Sequence, residues 1–147
     1  MIRVPLRYLP LNLTRKDKKK QVQMLQKSRR LYKSRKYFVR APLKSYKNKT
    51  SKHIINARKI YGVDKIVPSK ELSRATGCTI DALQKIVNKG EGAYYSSGSR
   101  PNQTAQSWGI ARLASALTAG KSAAVDYSIL ESGCNHKKKA FGSPRYF

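Results

Sequence analysis

Residues 69–90 read SKELSRATGCTIDALQKIVNKG, and their turn signals predict two short helices joined by a tight turn. Pro68 comes just before the first helix, where its fixed φ favours helix initiation. Gly77 falls where the chain needs a positive φ to end the first helix and begin the second. Leu83 and Ile86 then lie on one face of the second helix and point back toward the first. The stretch therefore predicts a packed helical pair.

The pair resembles the helix-turn-helix of bacterial repressor-like proteins, with Ser73 where those proteins usually place Ala. That resemblance implies that residues 79–88 form a helix that reads DNA. The outward side chains expected on it are those of Thr79, Asp81, Ala82, Gln84, Lys85 and Asn88. The candidate nucleic-acid contacts are Thr79, Gln84, Lys85 and Asn88, whereas Asp81 has the wrong charge to face phosphate. Such pairs also occur as plain scaffold, so both interpretations stay open.

Charge is distributed unevenly along the 147 residues, whose formal net charge is +25. By count, residues 1–49 carry +16, residues 50–131 carry +5 and residues 132–147 carry +4. Self-repulsion of this size opposes compaction, and it is typical of chains that bind a polyanion or an acidic protein surface. We therefore expect a large, negatively charged partner.

The charge pattern predicts three regions: a basic N-terminal arm over 1–49, a helical domain over 50–133 and a basic tail over 134–147. Prolines predict extended chain over 1–13, because they restrict the residues before them. A narrow apolar stripe predicts a helix over 14–36, formed by Val22, Met24, Leu25, Leu31 and Tyr32. Residues 37–49 are expected to be extended, with aromatic and basic side chains interleaved.

The remaining capping and turn-forming residues predict more helices between residues 50 and 133. Ser51 or Thr50 caps a helix that Gly62 ends, and residues 90–104, GEGAYYSSGSRPNQT, are too rich in turn formers for a regular element. A helix with Trp108 as a core anchor follows, and then a final helix over 121–132 with Val125 and Leu130 inside. The expected fold is all-α: a small bundle of four to five short helices that includes the helix-turn-helix-like pair.

The residue types and their spacing give little indication of a catalytic or metal site. Cys78 and Cys134 are read as thiols, because two cysteines cannot form a disulfide framework. The two histidines are not placed near a serine by the sequence, and no CxxC or HxxxH spacing indicates zinc. With seven acids spread along the chain, a two-metal site or a carboxylate pair is not expected. We predict a non-enzymatic protein without cofactor, metal or small-molecule substrate.

The block GAYYSSGSRPNQT followed by SWGIARLASALTAGK is similar to an uncharacterised domain family of nucleocytoplasmic large DNA viruses, including the giant viruses of algae. The resemblance covers about residues 37–134, so the arm before residue 37 lies outside it. It implies a viral setting and names no reaction.

Two functions remain open. The first is a minor capsid or cementing protein of the virion, assembled in the host cytoplasm or nucleus, whose basic arms attach to capsid proteins. The second is a viral DNA-binding protein that condenses the genome or reads it through residues 79–88. The inner membrane surface is a further candidate partner. The candidate contacts are Lys18, Lys19, Lys20, Lys27, Arg29, Arg30, Lys33, Arg35, Lys36, Arg40, Lys44, Arg100, Arg112, Lys137, Lys138 and Lys139.

Overall fold

A computed structural model describes residues 4–48, 50–118 and 120–135. These residues form a 3₁₀-helix and seven α-helices and no strand, which confirms the predicted all-α class. After the 3₁₀-helix Leu6–Tyr8, the α-helices are α1 (Arg15–Lys33), α2 (Lys52–Tyr61), α3 (Lys70–Thr76), α4 (Ile80–Ser96), α5 (Ala105–Leu117), α6 (Lys121–Val125) and α7 (Tyr127–Gly133). None of the described helices is long and apolar enough to cross a membrane.

The chain divides into two compact units. In the first, the described residues of Met1–Lys49 pack with Glu91–Trp108, which the sequence assigns to the central domain. The second unit contains Thr50–Gly90 and the described residues from Gly109 onward. The end of α4 and the start of α5 therefore belong to the first unit.

The predicted helical pair forms the centre of the second unit. The Ser69 hydroxyl accepts a hydrogen bond from the backbone N–H of Leu72, which caps α3. Gly77 ends α3 with φ +75°, a conformation that favours glycine because it has no Cβ. Leu72, Leu83 and Ile86 are fully buried, so the turn and the facing apolar side chains are as predicted.

Cys78 and Cys134 form a disulfide, which corrects the expectation of two thiols. They lie 56 positions apart in the chain, and both are buried. The backbone joins the same two segments, since the Thr79 N–H donates to the Gly133 carbonyl at 2.8 Å. Spacing alone could not show this pairing, because it depends on α7 returning to the turn between α3 and α4.

The expectation that residues 90–104 form a loop is wrong for its first part, because α4 continues through Ser96. Gly90 lies inside the helix, where a Cβ would stand 2.6 Å from the Cα of Gly109. The glycine is therefore a place of close backbone approach within the second unit, and it does not end the helix.

The predicted final helix is divided into α6 and α7 at Asp126, whose side chain is completely buried. Arg112 donates two hydrogen bonds to this carboxylate, at 2.9 and 2.8 Å. Leu130 is buried as expected, but Val125, the last residue of α6 before the break at Asp126, is 65% exposed, so its expected place inside is wrong.

The first unit has its own core, in which Leu25 and Leu43 are buried and Leu13 and Met24 pack with Leu43. Trp108, expected as a core anchor, is half-buried and meets the buried Tyr8 ring edge to face at 5.9 Å. The segment with the highest charge density is thus folded around apolar contacts.

Candidate functional site

Helix α1 is the most basic element of the described chain. Its nineteen residues include nine Lys and Arg and one acid, Asp17. Seven of the nine cations are exposed, and Lys18 and Arg29 are half-buried. The exposed ones are Arg15, Lys16, Lys19, Lys20, Lys27, Arg30 and Lys33. Because a helix rises 1.5 Å per residue, these charges are spread over about 28 Å.

The buried side of α1 explains why its cations point outward. Its buried residues are Gln21, Met24, Leu25 and Ser28, which recur every three or four positions. This stripe differs from the predicted one, in which Tyr32 was apolar core and is instead 37% exposed. Two polar residues take its place because they hydrogen-bond to carbonyls, Gln21 to that of Tyr8 at 3.0 Å and Ser28 to that of Tyr95 at 3.0 Å.

Three lysines, two on α1 and one from the segment after it, line a cleft at the start of α1. The Thr14 hydroxyl caps the helix by accepting from the Asp17 N–H, as favoured at this position. The hydroxyl and backbone N–H of Ser45 donate to the Asp17 carboxylate, and with nearby Lys20 and Lys16 they lower the pKa of Asp17. Lys16, Lys20 and Lys44 line a cleft of about 570 Å³ there.

The end of α1 extends the basic surface. Arg35, at φ +60°, and Lys36 follow the helix and are exposed. Lys27 lies over the Phe38 ring at 4.7 Å, a cation–π contact that leaves the lysine exposed. The Arg29 guanidinium donates through Nε to the Ser97 carbonyl at 2.9 Å. Together with α1, these residues define the basic surface of the first unit.

Arg40, a candidate polyanion contact, lies in the interior with 7% exposure. Its guanidinium donates to the Tyr94 carbonyl and the Ser28 hydroxyl, both at 2.8 Å, and to the Ser99 hydroxyl at 2.9 Å. The guanidinium carbon also lies 3.8 Å from the centre of the Tyr94 ring. Burial lowers the pKa of Arg40. The geometry makes this arginine part of the folded core of the first unit.

The other candidate arginines differ in their surroundings. Arg100 is exposed, whereas Arg112 is half-buried in the second unit. Hydrogen bonds to the Asp126 carboxylate raise the pKa of Arg112, so its charge is already matched. The candidates Lys137, Lys138 and Lys139 lie outside the described residues.

The outward face of α4 holds the candidate reading residues. Thr79, Gln84, Lys85 and Asn88 are exposed, as the helix-turn-helix interpretation requires. Their polar groups bond within the helix: the Gln84 amide donates to the Asn88 carbonyl oxygen at 2.9 Å, and Lys85 lies 3.3 Å from Asp81.

One of the outward predictions on this helix is wrong. Ala82 is 3% exposed, because Gly133 at the end of α7 approaches so closely that a Cβ there would lie 2.3 Å from the Ala82 Cβ. The beginning of α4, which a helix-turn-helix reader directs at bases, is thus partly covered by α7.

Ser99 and Asn102 hold residues 97–104 against the N-terminal segment. Asn102, at φ +62°, accepts from the Leu43 N–H and donates to the carbonyls of Leu43 and Tyr46. Ser99 bonds to Arg40 as described, and its own hydroxyl donates to the Arg100 carbonyl at 2.8 Å. Ser99 lies between Gly98 and Pro101 and Asn102 follows that proline, so both were readable as turn formers, but the N-terminal residues that they bind lie more than fifty positions away.

Among the described residues, no group of three His, Cys, Asp or Glu side chains lies close enough to hold a metal ion.

A profile of DUF5824, described as a family of unknown function, matches residues 5–132. The chain belongs to this family. The DUF5824 match begins well before residue 37, so the N-terminal segment, which the resemblance in the sequence left out, is part of the family's domain. It also spans most of both compact units. No curated protein and no solved structure matches the chain.

Proposed function

We propose that this protein is a non-enzymatic structural component of a large DNA virus particle and that α1 binds the packaged double-stranded DNA. The observation that carries the proposal is the concentration of nine cations on α1, seven of them exposed. Phosphates recur at regular intervals along a duplex, with one negative charge per roughly 1.7 Å of axis. A row of cations about 28 Å long suits such a partner.

The side chains between the cations favour phosphate over a protein surface. Gln23 and Gln26 are exposed on α1, and they can donate hydrogen bonds to phosphate oxygens. Stable protein–protein interfaces usually have an apolar core, whereas contacts to the phosphate backbone of DNA do not need one. The one acid of α1, Asp17, lies within electrostatic range of Lys20 and Lys16, whose charges offset its repulsion of phosphate.

A non-enzymatic role is supported by the polar groups of the serine-rich loop. The Ser99 hydroxyl donates to the Arg100 carbonyl and accepts from Arg40, so it is part of the scaffold. The viral setting is supported by the resemblance of GAYYSSGSRPNQT and SWGIARLASALTAGK to a domain family of large DNA viruses. The virion is accordingly the proposed location.

The test is the salt dependence of binding to a fluorescent 30-base-pair duplex, followed by anisotropy. Affinity should fall steeply with salt, because cations bound to the DNA are released on binding. In a variant with Lys16, Lys19 and Lys20 changed to Gln, the slope of log affinity against log salt should be shallower by about 2.7, the value for three lost phosphate contacts.

The matched control changes three exposed lysines of the second unit, Lys52, Lys59 and Lys65, to Gln. Its net charge equals that of the α1 variant, so only the position of the lost charge differs. An equal loss of slope in both variants would show that total charge, and not α1, determines binding. Affinity indifferent to salt would refute the DNA proposal.

The second candidate is a minor capsid or cementing role. It is favoured by Leu11 and Val39, which are 76% and 67% exposed on the first unit and have no use in phosphate binding. Such side chains suit the apolar centre of a protein interface. Cryo-EM of intact particles, together with gentle disassembly, should find the protein with the DNA core; location in the shell would favour this candidate instead.

A further inference from the structure

Three tyrosines meet at the surface of the first unit. The ring of Tyr37 lies with its centre 6.1 Å from that of Tyr32, in the last turn of α1, and 5.0 Å from that of Tyr95, in the last turn of α4. Tyr37 is 66% exposed and Tyr32 is 37% exposed, while Tyr95 is half-buried. Large aromatic rings usually bury most of their area, so a cluster with its central ring exposed indicates a binding surface.

This tyrosine cluster rests on a rigid base. Tyr94 is 1% exposed and meets the Tyr95 ring at right angles, with centres 5.0 Å apart. The Arg40 guanidinium lies on the Tyr94 ring, and the Arg40 N–H donates to the Tyr94 hydroxyl at 3.2 Å. Tyr95, the ring that Tyr37 contacts, is therefore packed against a buried neighbour.

The chain next to the cluster is strongly basic. Residues 29–36 read RRLYKSRK, with five cations and no acid in eight positions. Lys33, Arg35 and Lys36 are exposed and adjoin Tyr32 and Tyr37 in the chain. Glu91, one turn before Tyr95 on α4, is an acid whose charge acts on Tyr95. Exposed rings among cations suit a ligand that has both flat apolar faces and negative charges.

We propose that the tyrosine cluster binds single-stranded nucleic acid, with an unpaired base stacked on Tyr37 and the neighbouring phosphates held by Lys33, Arg35 and Lys36. Every base offers a π face, so stacking of this kind tolerates any sequence. Bases inside a duplex are already stacked and cannot reach the ring. The inference shares the basic surface with the proposed function but rests on a separate observation, the exposed rings.

The experiment measures the binding of the full chain to a fluorescent 15-nucleotide oligothymidylate and to the 30-base-pair duplex. Tyr37→Leu should weaken oligothymidylate binding at least about fivefold, because a base–aromatic stack contributes about 1–3 kcal/mol. Its duplex affinity should change less than twofold. Tyr37→Phe keeps the ring and should retain wild-type affinity for both.

Val39→Ala is the matched control, because Val39 is 67% exposed and also apolar but cannot stack. It should bind both nucleic acids as the wild type does. Circular dichroism of each variant checks that the helices are intact, which is expected since Tyr37 is mostly exposed.

The outcomes separate this inference from the proposed function. Unchanged oligothymidylate binding by Tyr37→Leu, or a loss shared equally by Val39→Ala, would overturn stacking and assign the cluster to a protein contact. If the wild-type chain binds duplex and its single-strand binding does not depend on Tyr37, the proposed function is supported and the stacking site is not. If the chain binds oligothymidylate through Tyr37 and does not bind duplex, the stacking site is supported and duplex binding by α1 is not.

Discussion

Reduction of the disulfide should destabilise the second unit by about 4 kcal/mol. Cys78 and Cys134 are 56 positions apart, and closing a loop restricts the unfolded chain. The loop-entropy relation gives about 3 kcal/mol for 15 residues and about 4.7 for 100, so a loop of this length lies between them. Since domains of this size are stable by about 5–15 kcal/mol, the bond contributes a large share.

The assay is equilibrium unfolding in urea, followed by circular dichroism, with and without a reductant. The oxidised chain should have no reactive thiol before reduction and two after it. Reduction should lower the free energy of unfolding by about 4 kcal/mol. The variant Cys78→Ala/Cys134→Ala should already have the lower stability and should not respond to reductant.

Two reactive thiols in the native, unreduced chain would refute the pairing itself. A bonded chain whose stability changes by less than 1 kcal/mol on reduction would refute the entropy argument. In that case the contacts of α7, including the Thr79 N–H to Gly133 carbonyl bond, would hold the two segments together without the sulfurs.

Further changes test other buried groups. Asp126→Ala should cost about 3 kcal/mol in urea unfolding, since it leaves the Arg112 charge without its partner, whereas Lys89→Gln should cost little because that lysine is 52% exposed. Arg40→Met should destabilise by about 2–4 kcal/mol, since it leaves a carbonyl and two hydroxyls without a donor, and a rise in stability would contradict this. Burial raises the pKa of Tyr61 to about 12, so the folded chain keeps a proton that the unfolded chain loses near pH 10. Stability should therefore be intact below pH 10 and fall by up to about 3 kcal/mol between pH 10 and 12, and urea titrations should show that Tyr61→Phe lacks this loss.

The helices and caps of the second unit were largely predictable. Ser69, Gly77 and Gly62 act through hydrogen bonds or a positive φ within a few residues, so their effect is visible in the local sequence. The loop over 90–104 was mispredicted because Gly90 signals a helix end locally. Gly90 instead allows a close approach to Gly109, a residue nineteen positions away, so its role could not be read from the local sequence.

The candidate site was only partly predictable. The cations of α1 could be named from composition, and their exposure followed once a helix was assumed. Arg40 could not be distinguished from them, because its burial depends on Tyr94 and Ser99, more than fifty positions along the chain. The tyrosine cluster could not be predicted for the same reason, since Tyr95 contacts Tyr37 only through tertiary folding.

The amino-acid sequence by itself determined the all-α class, the turn at Gly77 and the concentration of charge in the first 49 residues, because these properties are local or additive. The tertiary structure alone decided that this charged segment folds with Glu91–Trp108, that Cys78 bonds to Cys134, and that Arg40 turns inward while its neighbours stay exposed. Each of these three features depends on contacts between residues that are distant in the chain. Those contacts are set by the packing of whole helices, which no short stretch of sequence encodes.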